Sequence, residues 1–483
     1  MTKVAILKNK ALNYDAPSPF HPSQPYAEYP FNQYGSANLV YESVRKLFLM
    51  LGMDRARYNA SSWNPLGEII KPGNIVLIKP NFVKESNPGV DFSCLVTQSS
   101  IIRAIADYIH IALQGRGKII IADAPIQGCD FDQLIENSGL HDMLAFCKKN
   151  FCVPVELADL RSEVAFVNDL GMISRKPQEG DKAGYSSVDL KEDSELFEII
   201  NAFERFRCTN YGKEKMRLRH NKEKNEYVIA NSFLNADVVI NLPKLKTHKR
   251  AGMTCALKNM VGINGIKDCL AHHRFGSSQE GGDEYLYKSF RKKLISTLCE
   301  IRDAAPKKYQ AHFLKFLFRL IRCVDFFSPY KDPYNDGSWY GNDTLPRVIA
   351  DLNKIAFYAD KKGGLRNTLQ RKNFIIVDGI TAGEMEGPLY PTPKHCGLLV
   401  AGDNSVAVDL VCSRIMGFDY TKIPTFKYCM HSKIYPLFQG DPEAIDIISD
   451  YCSTFAGVYK TFGSKFTPSK GWSGHIEYNE ERE

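Results

Sequence analysis

No Cys-x-x-Cys pair occurs anywhere in the chain, although it contains 13 cysteines. Zinc ribbons and ferredoxin-type loops use that spacing to bring two thiolates onto one metal, so neither is indicated. An odd, scattered set also fails to make a disulfide framework, and the cysteines are expected to be reduced core residues. Long apolar runs are missing too. The N-terminal MTKVAILKNK carries only the short run VAIL, too brief for the hydrophobic region of a signal peptide. No stretch approaches the roughly 18 uncharged apolar residues of a spanning helix. These absences predict a cytoplasmic location. Charge of one sign is also lacking: 62 Lys and Arg stand against 55 Asp and Glu, a net +7 spread along the chain. That mild balance makes nucleic acid an unexpected partner.

What is present is the composition of a folded globular protein, 44% hydrophobic and 24% charged over 483 residues, with room for two or three domains. VAILK (4–8), NIVLIKPNF (74–82) and KIIIADAP (118–125) read as strands, the last two rich enough in Ile and Val to be buried on both faces of a parallel sheet. NLVYESVRKLFLMLGM (38–53) and SSIIRAIADYIHIAL (99–113) have helical periodicity. The pattern predicts an α/β fold of mostly parallel sheets flanked by helices, with a β-leaning insertion and a cleft at the strand carboxyl ends.

Expected boundaries are an N-terminal α/β lobe at 1–152, an irregular β-leaning insertion at 153–235, a second α/β lobe at 236–440 and a polar wrapping tail at 441–483. Within the second lobe a helical excursion at 286–328 is interrupted at Pro306, and Lys315, Arg319 and Arg322 share one stripe. Residues 311–327 fit a helix packed on a sheet with its cations reaching solvent, or a helix lying at a membrane surface or a partner.

Chemistry concentrates in three patches. In the first, ADVVINLPKLKTHKRAGMTCALKNMVG (236–262) runs from a strand straight into Lys244, Lys246, Thr247 and His248. Open α/β sheets bind ligands at that edge. TCALKNMVG suits two helical turns starting near Thr254 and stopping at Gly262, with Asn259 and Lys258 on it. Lysines around a helix start make an anion pocket, although the G-x-x-x-x-G-K-[ST] phosphate loop is absent. His248 with His272 or His273 could converge on a divalent transition metal or serve as proton carriers. Satisfied core histidines are the competing reading.

In the second patch Lys79 and Asn81 follow a buried strand, and Asp123 ends the next one. Burying Lys79 alone is costly, so Asp123 is its expected partner at the same sheet edge. The third patch, 378–409, gathers Asp378, Glu384, Glu386, His395, Asp403 and Asp409 among turn-forming Gly and Pro. Asp403 or Asn404 suits a helix cap, the reading favoured for Asp403 over a functional one, whereas Glu386 suits a catalytic general base.

Taken in order, VLIKPN, IIIAD, ADVVINLPKLKTHKRAGMTCALKNMVG, WYGNDTLPRVIADLN, IIVDGITAGEMEGP and VAVDLVCSRIMG resemble the family called domain of unknown function 362. Some of its members carry an appended ferredoxin-like segment with Cys-x-x-Cys repeats, and its absence here argues against an iron–sulfur cluster. A more distant similarity is to the nickel-pincer lactate racemases. It covers about fifty residues and rests on the order His248, Lys258, then His272 or His273. That resemblance implies a Lys258-anchored pyridine-derived nucleotide and histidines that ligate nickel or transfer protons, although TCALKNMVG replaces a more glycine- and proline-rich loop.

The leading expectation is an isomerase or redox enzyme binding a small anionic substrate or phosphate-bearing cofactor. Its catalytic groups would be His248, Lys258, His272 and Glu386, and its binding groups Lys79, Asn81, Asp123, Lys244, Lys246, Thr254 and Asn259. One alternative is an iron–sulfur centre on Cys255, Cys269 and Cys396. The other is a non-catalytic binder of anionic ligands using the basic stretches 213–224 and 244–250.

Overall fold

A strand with no polar residue can be satisfied only by burial on both faces, and that requirement organises the molecule. The structure, a computed structural model, describes residues 2–167, 173–208, 213–303, 310, 312–314, 317, 334–432 and 434–479. In chain order, β1 (Lys3–Lys8), β2 (Ile75–Pro80), β3 (Lys118–Asp123) and β4 (Val155–Asp159) enter one large sheet. The chain then leaves it for small antiparallel pairings: β5 (Glu163–Val167) with β6 (Ile173–Pro177), and β7 (Tyr185–Asp189) in a second group. β8 (Phe206–Arg207), β9 (His220–Asn221) and β10 (Lys224–Ala230) complete this region.

The chain returns to the large sheet with β11 (Val238–Leu242), β12 (Lys244–His248) and β13 (Gly252–Thr254). After β14 (His273–Arg274), which pairs with β8, come β15 (Lys372–Glu386), β16 (Tyr390–Gly402) and β17 (Asp446–Ile448). The large sheet has ten strands, ordered β17-β1-β16-β15-β11-β2-β3-β4, with β12 and β13 attached through β15. From β15 to β4 every pairing is parallel. The fold is therefore mixed α/β, a mostly parallel central sheet flanked by helices with small antiparallel sheets added.

Alternation along each strand divides the core. Val76 and Ile78 of β2, with Ile119 and Ile121 of β3, pack under the helix Ser99–Leu113 on one face. Leu77, Ile120 and Val239 point to the other face, where the helices Thr344–Tyr358 and Ser405–Met416 lie.

Two expectations are corrected. Residues 244–248 are a buried strand, because β12 finds partners in β13 and β15. The Gly/Pro-rich stretch after 380 is a long hairpin in which β15 and β16 stay paired from Ile375↔Gly402 to Glu386↔Tyr390. No hydrophobic pattern marks its outer end, and Pro391 and Pro393 are tolerated because that part of β16 has no second neighbour. The helix within 286–328 is defined over Phe290–Asp303. The cationic stripe of Lys315, Arg319 and Arg322 lies outside the described residues. Among the described residues no helix is long and apolar enough to cross a membrane.

The final segment contacts both the sheet and the basic stretch. β17 pairs with β1, and the buried Trp472 donates from Nε1 to the Lys249 carbonyl at 2.8 Å.

Candidate functional site

Parallel register brings the carboxyl ends of β2, β3 and β11 to one edge, with Leu242 opposite Pro80 and Ile78 opposite Ile121. Lys79 Nζ there lies 2.6 Å from Asp123 Oδ1, both side chains buried. Asp123 Oδ2 also accepts from the Phe82 amide at 2.7 Å. Burial pulls the Lys79 pKa down while Asp123 opposes the shift. The chain crosses directly over this pair at Gly262, where a Cβ would stand 2.0 Å from Asp123 Oδ1 and 2.6 Å from Lys79 Nζ. Only glycine leaves that space free.

Asn259 ties the crossing segment down. Its Nδ2 donates to the Lys79 carbonyl at 3.0 Å and to Asn241 Oδ1 at 2.7 Å, while its Oδ1 accepts from Asn81 Nδ2 at 3.2 Å. Asn259 and Asn81 are thus parts of the frame as well as residues of the cavity wall.

Lys258 rides on the short helix Ala256–Asn259, which continues as a 3-10 turn over Met260–Ile263. The expected helix start at Thr254 is corrected, since Thr254 ends β13. One turn cannot sustain itself. The buried carboxylate of Asp409 caps it from the helix Ser405–Met416, accepting from Ala256 N at 2.7 Å and Leu257 N at 3.0 Å. Burial raises the Asp409 pKa to about 7. Asp409 was legible only as one acid inside the apolar run VAVDLV. At the start of its own helix the cap is Asn404, not Asp403: Asn404 Oδ1 accepts from Val406 N and Ala407 N, each at 3.0 Å.

Beside this frame opens a cavity of about 1350 Å³. Its described lining includes eleven Lys and Arg against five Asp and Glu. That excess nearly equals the +7 of the whole chain, so the net charge is gathered around one space. Asp123 is already engaged by Lys79, and Glu300 by Arg207 and Lys213.

Lys246, Lys258 and Lys267 all border the cavity. Burial, then mutual repulsion, lowers Lys246 to about 7; Lys244 is its nearest cause among the cations. Burial lowers Lys267 to about 7 as well, with Asp123 opposing the shift. Lys258 falls to about 8 through burial and the charges of Arg250 and Lys79. Lys246 Nζ donates to the Leu95 carbonyl at 2.6 Å and Lys267 Nζ to the Val261 carbonyl at 3.4 Å. Lys267 and Arg250 were not picked out as site residues, because spacing alone does not reveal which cations are buried.

His248, Lys258, His272 and His273 all line this one cavity. Hydrogen bonds fix two of the imidazoles as opposite tautomers. His248 Nδ1 accepts from the Arg250 amide at 3.1 Å, so its proton sits on Nε2. His272 Nδ1 faces the Leu270 carbonyl at 2.7 Å, which can only accept, so His272 carries its proton on Nδ1 and keeps the Nε2 lone pair. Burial, then nearby cations, holds both pKa values well below the ordinary histidine range. Both rings are therefore neutral. His272 Nδ1 also lies 3.1 Å from Cys208 Sγ, a wall thiol whose pKa burial pushes up. His273 lies in β14 with its pKa lowered to about 3 by burial.

The metal expectation is not shown. Among the described residues no group of three or more His, Cys, Asp or Glu is placed to hold an ion. His248 and His272 each commit Nδ1 to the backbone, and His273 Nδ1 is a buried atom without a hydrogen-bond partner. The three cysteines of the iron–sulfur alternative have separate neighbours. Cys255 sits beside Asp409 and Cys412, Cys269 Sγ faces the Lys215 carbonyl at 3.9 Å, and Cys396 Sγ faces its own strand at Lys394.

Two further assignments are displaced. Lys244 is absent from the wall and closes a buried pair with Asp378 at 2.9 Å, to which the Tyr14 hydroxyl also donates. Glu386 lies at the hairpin end, outside the wall, accepting from the Lys470 amide at 2.8 Å. Glu384 accepts from Lys394 Nζ, and His395 Nε2 contacts the Lys10 carbonyl. Most cations of the stretches 213–224 and 244–250 are paired or buried, while Lys215 and Lys222 are exposed. Lys215 and Arg219 are paired with Glu163 and Glu226, and Lys244 and Lys246 are wholly buried.

The family described as Domain of unknown function (DUF362) matches residues 76–181 and 160–414, and the chain belongs to it. The chain is also similar to the thylakoid-associated protein sll1697 of Synechocystis sp. strain PCC 6803, 22% identical over 363 residues, covering 74% of this chain and 68% of that protein. A solved structure of a Thermotoga maritima protein overlaps 74% of this chain and 55% of its own, with 9% identity and a TM-score of 0.29.

Proposed function

We propose that the cavity binds a small molecule carrying two or more negative charges and moves a proton at a carbon next to its carbonyl or carboxylate group, an isomerase-type reaction. The observation that carries this reading is the pair of neutral imidazoles of opposite tautomer, His272 and His248, inside a cavity with an excess of cations. In it the anionic groups dock against Lys246, Lys267 and Arg250, which would otherwise repel one another. His272 Nε2 takes the carbon-bound proton. His248 Nε2–H donates to the oxygen on which negative charge develops, as a neutral donor. The order His248, Lys258, His272, which resembles that of the nickel-pincer lactate racemases, points the same way.

The test is exchange in D2O. Phosphorylated and unphosphorylated 2-hydroxy and 2-oxo acids are incubated with the protein, and loss of the α-proton signal is followed by NMR. Exchange that needs the protein and is lost in His272→Gln supports the reading. Saturable sulfate binding without exchange of any compound in the panel would reduce the cavity to an anion-binding site.

A further inference from the structure

We infer that Lys258 is a carbonyl-capturing amine, forming an imine with an aldehyde or 2-oxo compound that carries an anionic group. The inference rests on the anion-binding reading above and adds a covalent step to it.

Lys258 differs from Lys79, Lys246 and Lys267 in one geometric respect, which it shares with Lys249 on the same wall. Lys79 is held by Asp123 and the Pro80 carbonyl, Lys246 by the Leu95 carbonyl and Lys267 by the Val261 carbonyl. Lys258 Nζ has no hydrogen-bond or ion-pair partner among the described residues, yet its side chain is half-buried on the cavity wall. Its backbone is fixed by the Asp409 cap on one side and the Asn259 network on the other. A rigid stem with an unengaged amine is preorganised for attack, whereas the tethered lysines suit a lasting charge.

The surroundings favour the reactive form. Burial and the neighbouring cations Arg250 and Lys79 hold the amine near 8, so a fraction is unprotonated at neutral pH. In the step itself the amine nitrogen adds to the carbonyl carbon and the C=O π bond opens to a hydroxyl. The carbinolamine then loses that hydroxyl as water, and the two amine protons end on the departing oxygen. His272 Nε2, in the same cavity, relays the first of them. No oxidant or reductant takes part. The imine then serves as the electron acceptor when His272 removes the neighbouring carbon-bound proton.

The full chain is incubated with glyoxylate, an anionic aldehyde, or with propanal, a neutral one, then reduced with borohydride and mapped by mass spectrometry. The expected result is one adduct on Lys258, formed on the order of tenfold faster with glyoxylate because the wall cations concentrate it. The rate should rise with a midpoint near pH 8, and millimolar sulfate should suppress it. First labelling at other lysines, or equal rates for the two aldehydes, overturns the inference. Wild-type mapping needs no variant, so misfolding of Lys258→Met cannot obscure the answer. Sulfate binding, measured separately by calorimetry, distinguishes the two failures. Bound sulfate without an adduct removes the imine alone, whereas absent sulfate binding removes the anion site beneath it.

Discussion

Lys79 Nζ and Asp123 Oδ1 meet at 2.6 Å across the carboxyl ends of two adjacent parallel strands, and Gly262 passes over them with no room for a methyl group. This buried pair is the floor on which the site segment rests. Asp123→Asn removes the countercharge and leaves Lys79 enclosed, which costs about 3–5 kcal/mol. Gly262→Ala is expected to destabilise through the same contact by forcing the pair apart. Urea midpoints of the two variants check this, and a Gly262→Ala midpoint equal to wild type would contradict the close approach.

Lys244 and Lys246 are two residues apart on β12, yet they separate into different roles. Lys244→Met leaves Asp378 with neutral donors alone, the Tyr14 hydroxyl and the Gln98 and Ile380 amides, and is expected to destabilise the fold by about 3 kcal/mol while sulfate affinity stays within twofold. Lys267→Met is expected to do the opposite: little loss of stability, because an ammonium leaves a site that penalises it, and sulfate binding weaker by about tenfold or more. Parallel denaturation and calorimetry on the two variants separate the assignments.

That contrast marks how far the sequence could be read. The parallel strands were legible because Ile and Val runs at 75–78 and 119–121 admit little but double-sided burial, and the helix Ser99–Leu113 because its period is clear. The expected partnership of Lys79 with Asp123 followed from the cost of a lone buried cation. His248, Lys258 and His272 were singled out together, and one cavity does hold them. Lys244 and Glu386 were misplaced because their neighbours, Asp378 and Lys470, lie 134 and 84 residues away. The hairpin end was missed because its pairing is carried by the backbone.

Asp409 reaches the site through another helix. Asp409→Ala leaves the amides of Ala256 and Leu257 without their acceptor, at about 1–3 kcal/mol, and lets the turn carrying Lys258 move. The stability loss should come with reduced sulfate affinity and with loss of the pH 8 midpoint in aldehyde labelling. Stability loss alone, with labelling unchanged, would show that the turn holds its shape without the cap.

The sign of the pH dependence follows from the lysines. With folded values of about 7 for Lys246 and Lys267 against about 10.4 in an unfolded chain, the unfolded state binds more protons across that interval. These two groups therefore make the ligand-free protein more stable as pH rises from 7 towards 10, and their full cost is present below about pH 7. A bound dianion reverses the preference by favouring the ammonium forms. Sulfate, which stays dianionic throughout, should thus bind more tightly as pH falls from 9 through 7 and level off below, taking up protons as it binds. Calorimetry near pH 7.5 in two buffers of different ionisation enthalpy reads that uptake directly. Proton release, or an affinity that is flat from pH 9 to 6, would mean that these lysines do not face the anion.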